Sequence, residues 1–80
     1  MIVRVHVSLK NGVLDPQGKA VADTLARMGY SEVAAVRVGK TIDLEIEDGL
    51  DKAQAEARVK DMCEQLLANT VIEKYEFELA

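Results

Sequence analysis

Residues 2–10 read Ile2-Val3-Arg4-Val5-His6-Val7-Ser8-Leu9-Lys10, and this stretch decides the fold because apolar and polar side chains alternate strictly along it. A period of two is typical of a β-strand with one buried face and one polar face. We therefore predict a strand over residues 2–10 whose valines enter the core. Its polar side chains are expected on an open face of the sheet.

A helix is predicted to follow this strand, beginning at Asp15 and Pro16. Aspartate is a favoured N-cap because its carboxylate accepts N–H groups of the first turn, and proline suits the first helical position. The apolar stripe of this helix consists of Val21, Leu25 and Met28. Gly29 is a stop signal of the left-handed type. Gly18 either permits a close backbone approach or is merely tolerated, at a cost of about 1 kcal/mol relative to alanine.

Residues 33–47 are predicted to be β structure, interrupted at Gly39 and Lys40. A three-residue hairpin loop over 39–41 pairs Val38 with Ile42 and keeps one apolar face, whereas a two-residue loop mixes the faces. We favour the three-residue loop. One long strand bent at Gly39 is the alternative.

A second helix is predicted after Asp48 and Gly49, with Asp51 and Gln54 at capping-box spacing. Its predicted apolar stripe consists of Ala55, Val59, Met62, Cys63 and Leu66. Asn69 is a plausible end to this helix, because asparagine tolerates the left-handed conformation. Alternation from residue 74 to residue 79 predicts a last strand.

The element order β-α-β-β-α-β predicts an α+β, ferredoxin-like sandwich, in which an antiparallel sheet carries two helices on one face. Eighty residues correspond to one domain, residues 1–80. A chain this short is marginally stable alone, and its single cysteine excludes an internal disulfide. We therefore expect stabilisation by oligomerisation.

The composition argues against two classes of partner. Fourteen acidic residues against ten basic give a net charge of −4, whereas affinity for nucleic acid comes largely from neutralising phosphates. The sequence contains no apolar run near the roughly 20 residues that span a bilayer. It also shows no signal peptide, so a cytoplasmic location is expected.

Side chains with catalytic potential are sparse. His6 belongs to the polar face of the first strand, where a solvated or interfacial role is expected. Cys63 lies on an apolar stripe and is expected to be buried filler rather than a nucleophile. The carboxylate row Asp43, Glu45 and Glu47 is expected to be a solvated face balanced by basic neighbours. The sequence therefore predicts neither catalytic residues nor a metal site.

Three segments at the predicted junctions have a more distinctive sequence than a connection between a strand and a helix or strand requires. They are Lys10-Asn11-Gly12-Val13-Leu14-Asp15-Pro16-Gln17-Gly18-Lys19-Ala20, Arg37-Val38-Gly39-Lys40 and Leu66-Leu67-Ala68-Asn69-Thr70-Val71-Ile72-Glu73. With these segments the chain resembles, end to end, the small subunit (PurS) of bacterial and archaeal phosphoribosylformylglycinamidine (FGAM) synthase. The chain has Thr70 where many relatives have proline.

The resemblance implies a non-catalytic adaptor in de novo purine (IMP) biosynthesis. Such an adaptor joins a glutaminase subunit to a large subunit that uses ATP and Mg to transfer ammonia to phosphoribosylformylglycinamide (FGAR). The enzyme is a carbon–nitrogen ligase with glutamine as amido donor. The resemblance further implies that the small subunit itself binds no cofactor and forms a homodimer or a dimer of dimers.

The resemblance directs attention to residues that contact partners rather than perform chemistry. The partner-contact candidates are Lys10, Asp15, Pro16, Gly18, Arg37, Gly39, Lys40 and Asn69.

Two other classes of function remain open. One is a free-standing ligand-sensing module of the same fold, which binds a small molecule at a subunit interface. The other is a small enzyme of acylphosphatase type. That enzyme needs an arginine in the loop after the first strand, and the loop Asn11-Gly12-Val13-Leu14 contains none.

Overall fold

The structure is a computed structural model, and it describes residues 1–79. Over this range the elements are β1 (Ile2–Leu9), α1 (Pro16–Arg27), β2 (Lys40–Glu45), α2 (Lys52–Met62) and β3 (Glu73–Leu79). A π-helical segment, Cys63–Leu67, continues α2. The predicted α+β class is confirmed, since helices alternate with strands of an antiparallel sheet.

Within residues 1–79 the sheet has three strands in the order β2-β1-β3, with β1 antiparallel to both neighbours. Val5 of β1 pairs with Ile42 on one side and with Phe77 on the other. Arg4, one residue earlier, pairs with Asp43 and Glu78. The alternation along β1 therefore separates an apolar face from a charged face, as predicted.

The core lies between the apolar sheet face and α2. Its buried residues are Val3, Val5, Val7, Val59, Cys63 and Ala68, and Val3, Val5, Val59 and Cys63 have no exposed surface. Apolar side chains of β2 and β3, including Ile42 and Phe77, pack around this cluster. Ala55, Val59 and Cys63 are spaced four residues apart and are all buried, which shows which face of α2 meets the sheet.

The predicted stripe of the second helix is wrong at two positions. Met62 is 41% exposed and Leu66 81% exposed, while Leu67 is half-buried and packs on the core. Met62 precedes the π turn and lies beside the buried face that Ala55, Val59 and Cys63 mark. Leu66 is turned outwards by the π turn, which closes with a bond from Ala68 N–H to Cys63 O at 3.1 Å. A π turn contains an extra residue compared with an α turn, so the inward face passes to Leu67 and Ala68.

Helix α1 has the predicted ends. Asp15 caps it and Pro16 is its first residue. Gly29 follows with φ of 99°, which is the left-handed conformation expected of a stop signal. The capping box of α2 is also confirmed, with reciprocal bonds between Asp51 and Gln54.

Helix α1 does not cover the sheet, which corrects the expectation that both helices close one core within the chain. Among the described residues, none from α1 belongs to the core cluster. Val21 is 43% exposed and Met28 64% exposed. We call residues 16–38 the arm. The arm accounts for an elongated molecule of 52 × 24 × 14 Å, whose radius of gyration of 16.3 Å exceeds the roughly 12 Å of a compact chain of this length.

The strand predicted over residues 33–38 is not formed, and neither is its hairpin or the alternative of one long bent strand. Part of the reason is competition for a main-chain donor. The N–H of Val38 donates to the side chain of Asp15 at 2.8 Å rather than to a neighbouring strand. Pairing therefore starts at Lys40, after Gly39.

Candidate partner interface

The three junction segments, remote in sequence, meet at one end of the sheet. Lys10 follows the last residue of β1, Lys40 begins β2 and Glu73 begins β3. The N–H of Lys10 donates to Ile72 O at 2.8 Å, and Leu9 pairs with Glu73. We call the surface formed by residues 10–18, 37–40 and 69–73 the junction end. It also holds the start of α1, so it contains all of the predicted contact candidates.

Asp15 connects two segments of the junction end. One carboxylate oxygen, Oδ1, accepts the N–H of Gly18 at 2.8 Å and caps α1. The other, Oδ2, accepts the N–H of Val38 at 2.8 Å. These hydrogen bonds hold the pKa of the Asp15 carboxyl below its ordinary value, and the N–H of Val38 contributes more than that of Gly18. The carboxylate is thus engaged within its own chain.

Arg37 makes a second connection between the same segments. Its guanidinium donates through Nη1 to Val13 O at 3.0 Å and through Nη2 to Lys10 O at 3.1 Å. A planar guanidinium can bridge two carbonyls in this way, whereas a lysine ammonium is a single point of charge. Arg37 is nevertheless exposed, so the bridge leaves part of its surface open.

Two glycines of the candidate set lie where backbones approach closely. A Cβ on Gly18 would stand 2.2 Å from Val36 O, and a Cβ on Gly39 would stand 2.7 Å from Val7 O. Contacts below 3.0 Å do not occur at real Cβ atoms. Of the two interpretations of Gly18 from the sequence, close backbone approach is therefore the one that the geometry supports.

Lys10, Pro16 and Lys40 present exposed side chains at the junction end. Their surfaces are available to a partner, in contrast to the carboxylate of Asp15. Lys40 also lies on an edge strand, since β2 is the outer strand beside β1.

The expectation that Asn69 ends the second helix in the left-handed conformation is wrong. Among residues 1–79, only glycines have positive φ, and the helical run stops at Leu67 before an extended Ala68. Asn69 instead organises the following turn. Its side-chain Oδ1 accepts the N–H of Val71 at 3.2 Å, and its N–H donates to the carboxylate of Glu73 at 2.7 Å. This side-chain turn is a common role of asparagine.

A groove of about 660 Å³ lies between the first half of α1 and the segment 34–37. The lining includes Asp15, Gly18 and Arg37 from the candidate set. It also includes Leu14, which is 87% exposed and which sequence reasoning did not single out. The available signal was a large apolar residue inside a predicted loop.

The side chains considered for chemistry lie away from this groove. His6 is on the charged sheet face, with Nε2 3.4 Å from Glu78 Oε1 and Nδ1 3.3 Å from Thr41 Oγ1. Cys63 is buried, and burial raises the pKa of its thiol. On the charged face, Arg4 Nε donates to Asp43 Oδ1 at 2.9 Å and lowers the pKa of that carboxyl.

Two features are absent from the part of the chain that the structure describes. No group of three or more histidine, cysteine, aspartate or glutamate side chains within residues 1–79 could hold a metal ion. No helix in that range has the length and hydropathy required to cross a membrane.

Comparison with known proteins gives one consistent result. The sequence model of the family "PurS: Phosphoribosylformylglycinamidine (FGAM) synthase" matches residues 2–80. Phosphoribosylformylglycinamidine synthase subunit PurS of Bacillus subtilis is 53% identical over 77 residues, which cover 96% of this chain and 89% of that protein.

Solved structures agree with the sequence match. A structure of Bacillus subtilis PurS superposes with a TM-score of 0.85 at 54% identity, covering 96% of this chain and 94% of that one. A chain in the structure of PurLQS from Thermotoga maritima superposes with a TM-score of 0.82 at 34% identity, covering 98% and 96%. With a family match over nearly its whole length, this chain belongs to the PurS family of FGAM synthase subunits.

Proposed function

We propose that this chain is the non-catalytic adaptor subunit of FGAM synthase in de novo purine biosynthesis. It joins the glutaminase subunit to the large ATP-dependent subunit, so that ammonia released from glutamine reaches FGAR. The observation that carries this proposal is the likeness, over 98% of the chain, to a protein solved as part of PurLQS. ATP and Mg belong to the large subunit in this proposal, and the adaptor binds no cofactor.

The junction end supports the adaptor role. It gathers three remote segments into one surface whose charged groups Asp15 and Arg37 hold the chain's own backbone. Around these groups lie exposed lysines and the groove that contains Leu14. An apolar centre rimmed by polar and charged groups is the usual composition of a surface that binds another protein. Residues 1–80 act as one domain here, in the cytoplasm, where purine synthesis takes place.

We also propose that a second copy of this chain covers the arm. The apolar side chains Val21 and Met28 of α1 are exposed. Within residues 1–79, the main-chain N–H and C=O groups of residues 34–37 have no main-chain hydrogen-bond partner. A second copy would bury these apolar side chains and provide hydrogen-bond partners for the main chain of residues 34–37. The same contact would add stability to a chain that is only marginally stable alone.

Glutamine-dependent activity tests the adaptor role. The large and glutaminase subunits are assayed with and without this chain, first with glutamine and then with a high concentration of ammonium salt. We expect that glutamine-dependent synthesis of FGAM requires the chain, whereas ammonia-dependent synthesis does not. Equal glutamine-dependent rates with and without the chain would overturn the adaptor role. They would also favour a free-standing ligand-sensing module.

Sedimentation velocity tests the oligomer. We expect Val21→Glu or Met28→Glu to shift the chain towards the monomer. Leu50→Glu is the matched control, because Leu50 is 37% exposed and precedes the start of α2, at the opposite end of the sheet. If the arm variants and the control sediment alike, the arm is not the surface between copies.

A further inference from the structure

Within residues 1–79, most polar contacts between the arm and the rest of the chain involve Asp15 and Arg37. Asp15 reaches from the start of α1 to Val38, which is the last residue of the arm before Gly39 and β2. Arg37, next to Val38, reaches back to Lys10 and Val13, which lie between β1 and α1. Both connections therefore cross between the two ends of the arm.

We propose that Asp15 is a positioning residue: its two carboxylate oxygens, one on Gly18 N–H and one on Val38 N–H, set the direction in which the arm leaves the sheet. This inference deepens the proposed function and rests on it, because the direction of the arm matters only if the arm docks. Partner binding then meets an arm that is already oriented, which reduces the entropy lost on association.

The steric contacts support this role for the carboxylate. The two chain segments can approach because residue 18 has no Cβ, whose position would be 2.2 Å from Val36 O and 2.9 Å from Asp15 Oδ2. The carboxylate, the first turn of α1 and residues 36–38 therefore form one closely packed unit. Arg37 completes it by holding the carbonyls of Lys10 and Val13.

Asp15→Asn separates the two contacts. Asparagine is as good an N-cap as aspartate, so its oxygen can still accept the N–H of Gly18. Its NH₂ group, however, replaces Oδ2 and can only donate, so it cannot accept the N–H of Val38. The variant keeps the helix start and removes the connection to the end of the arm.

The second N-cap of the chain provides a matched control. Asp51 Oδ1 accepts the N–H of Gln54 at 2.8 Å, the same distance as in the cap of α1. Among the contacts of residues 1–79, the Asp51 carboxylate accepts from no other segment of the chain. Asp51→Asn therefore makes the same chemical change at a cap that orients nothing.

Amide hydrogen exchange resolved by residue tests the proposal on the full chain. In Asp15→Asn, we expect exchange at Val38 to accelerate about tenfold or more, as loss of a hydrogen bond to a charged group implies. Exchange at Gly18 should stay unchanged, and Asp51→Asn should leave both amides unchanged. Unchanged exchange at Val38 in Asp15→Asn would overturn the proposal, and so would equal acceleration at Gly18 and Val38, which indicates simple loss of the helix start.

Glutamine-dependent activity of the reconstituted enzyme connects this geometry to assembly. We expect Asp15→Asn to require a higher concentration of the adaptor for half-maximal activity, with the same maximal rate. An unchanged requirement, together with accelerated exchange at Val38, would show that the direction of the arm does not limit docking, and would overturn the positioning role. The adaptor role fails by a different result, namely full activity without any adaptor, so the two failures are distinguishable.

Discussion

Replacing Gly18 with alanine is expected to destabilise the chain, although alanine is the better helix former. Gly18 lies in the first turn of α1, where alanine would gain at most about 1 kcal/mol. The new Cβ would meet Val36 O at 2.2 Å, whereas ordinary contact begins at 3.4 Å. The opposing atom belongs to the backbone, so residues 36–38 must move by about an ångström to accommodate it.

The magnitude follows from these opposing terms. Overpacking of a closely packed site costs about 1–3 kcal/mol, and a backbone obstacle places Gly18→Ala at the upper end of that range. After subtracting the gain in helix propensity, the net loss in free energy of unfolding is about 2 kcal/mol. For a domain of this size, the melting temperature should fall by about 10 °C.

Thermal unfolding followed by circular dichroism measures this fall, at one protomer concentration because association also raises the melting temperature. Ala20→Gly, at an exposed position of the same helix, is the control for propensity alone. It should lower the stability by about 1 kcal/mol. If Gly18→Ala raises the melting temperature by as much as Ala20→Gly lowers it, helix propensity alone explains the effect at residue 18. The close approach to Val36 would then be refuted.

Four further predictions concern the core, the buried thiol, the Asp15 carboxylate and the edge of the sheet. Val59→Ala should cost about 2 kcal/mol in urea unfolding, because Val59 is fully buried in the core. Cys63 should react with iodoacetamide only after denaturation, because burial raises the pKa of its thiol. The pKa of the Asp15 carboxyl is lowered on folding, so its contribution to stability is present above its ordinary value of 3.8 and is lost as the pH falls below that value. Asp15→Asn should therefore lose less stability than the unchanged protein as the pH falls below about 4. Lys40→Glu should weaken assembly with the synthase subunits in size-exclusion chromatography, more at low salt, whereas Lys52→Glu, the same change at the start of α2, should not.

Local sequence signals predicted the parts of the fold that depend on local chemistry. The alternation of β1 placed Val3, Val5 and Val7 in the core. Asp15 and Asp51 mark both helix starts, because an N-cap acts on donors two or three residues away. These features need no knowledge of the rest of the chain.

Predictions that depended on tertiary context were less successful. Val36 and Val38 have a strand pattern, but strand formation requires a neighbour, and the Val38 donor binds a carboxylate 23 residues earlier. Leu66 was expected inside and lies outside, because the sequence carries no signal for the π turn at Cys63–Leu67. Likewise, the spacing of Val21 and Met28 identified an apolar face of α1 without identifying what covers it.

The candidate site was predicted in part. The sequence singled out Asp15, Gly18 and Arg37 as residues for contact with partners, and the structure brings them together. Their observed contacts, however, are with the chain's own backbone. Whether these residues also contact partners stays a prediction. For Arg37, a charge reversal is expected to disturb the loop 10–13 as well as any contact.

The separation between the core and the arm has a consequence for natural variation in this gene. Substitutions at core positions such as Val5 or Val59 should reduce the amount of protein in the cell, because unfolded chains are degraded. Substitutions at exposed arm positions such as Val21 or Met28 should reduce the abundance of the protein less than core substitutions do, and should still prevent growth without purines. A mutational scan scored once for abundance and once for purine prototrophy would therefore separate the two regions of the chain.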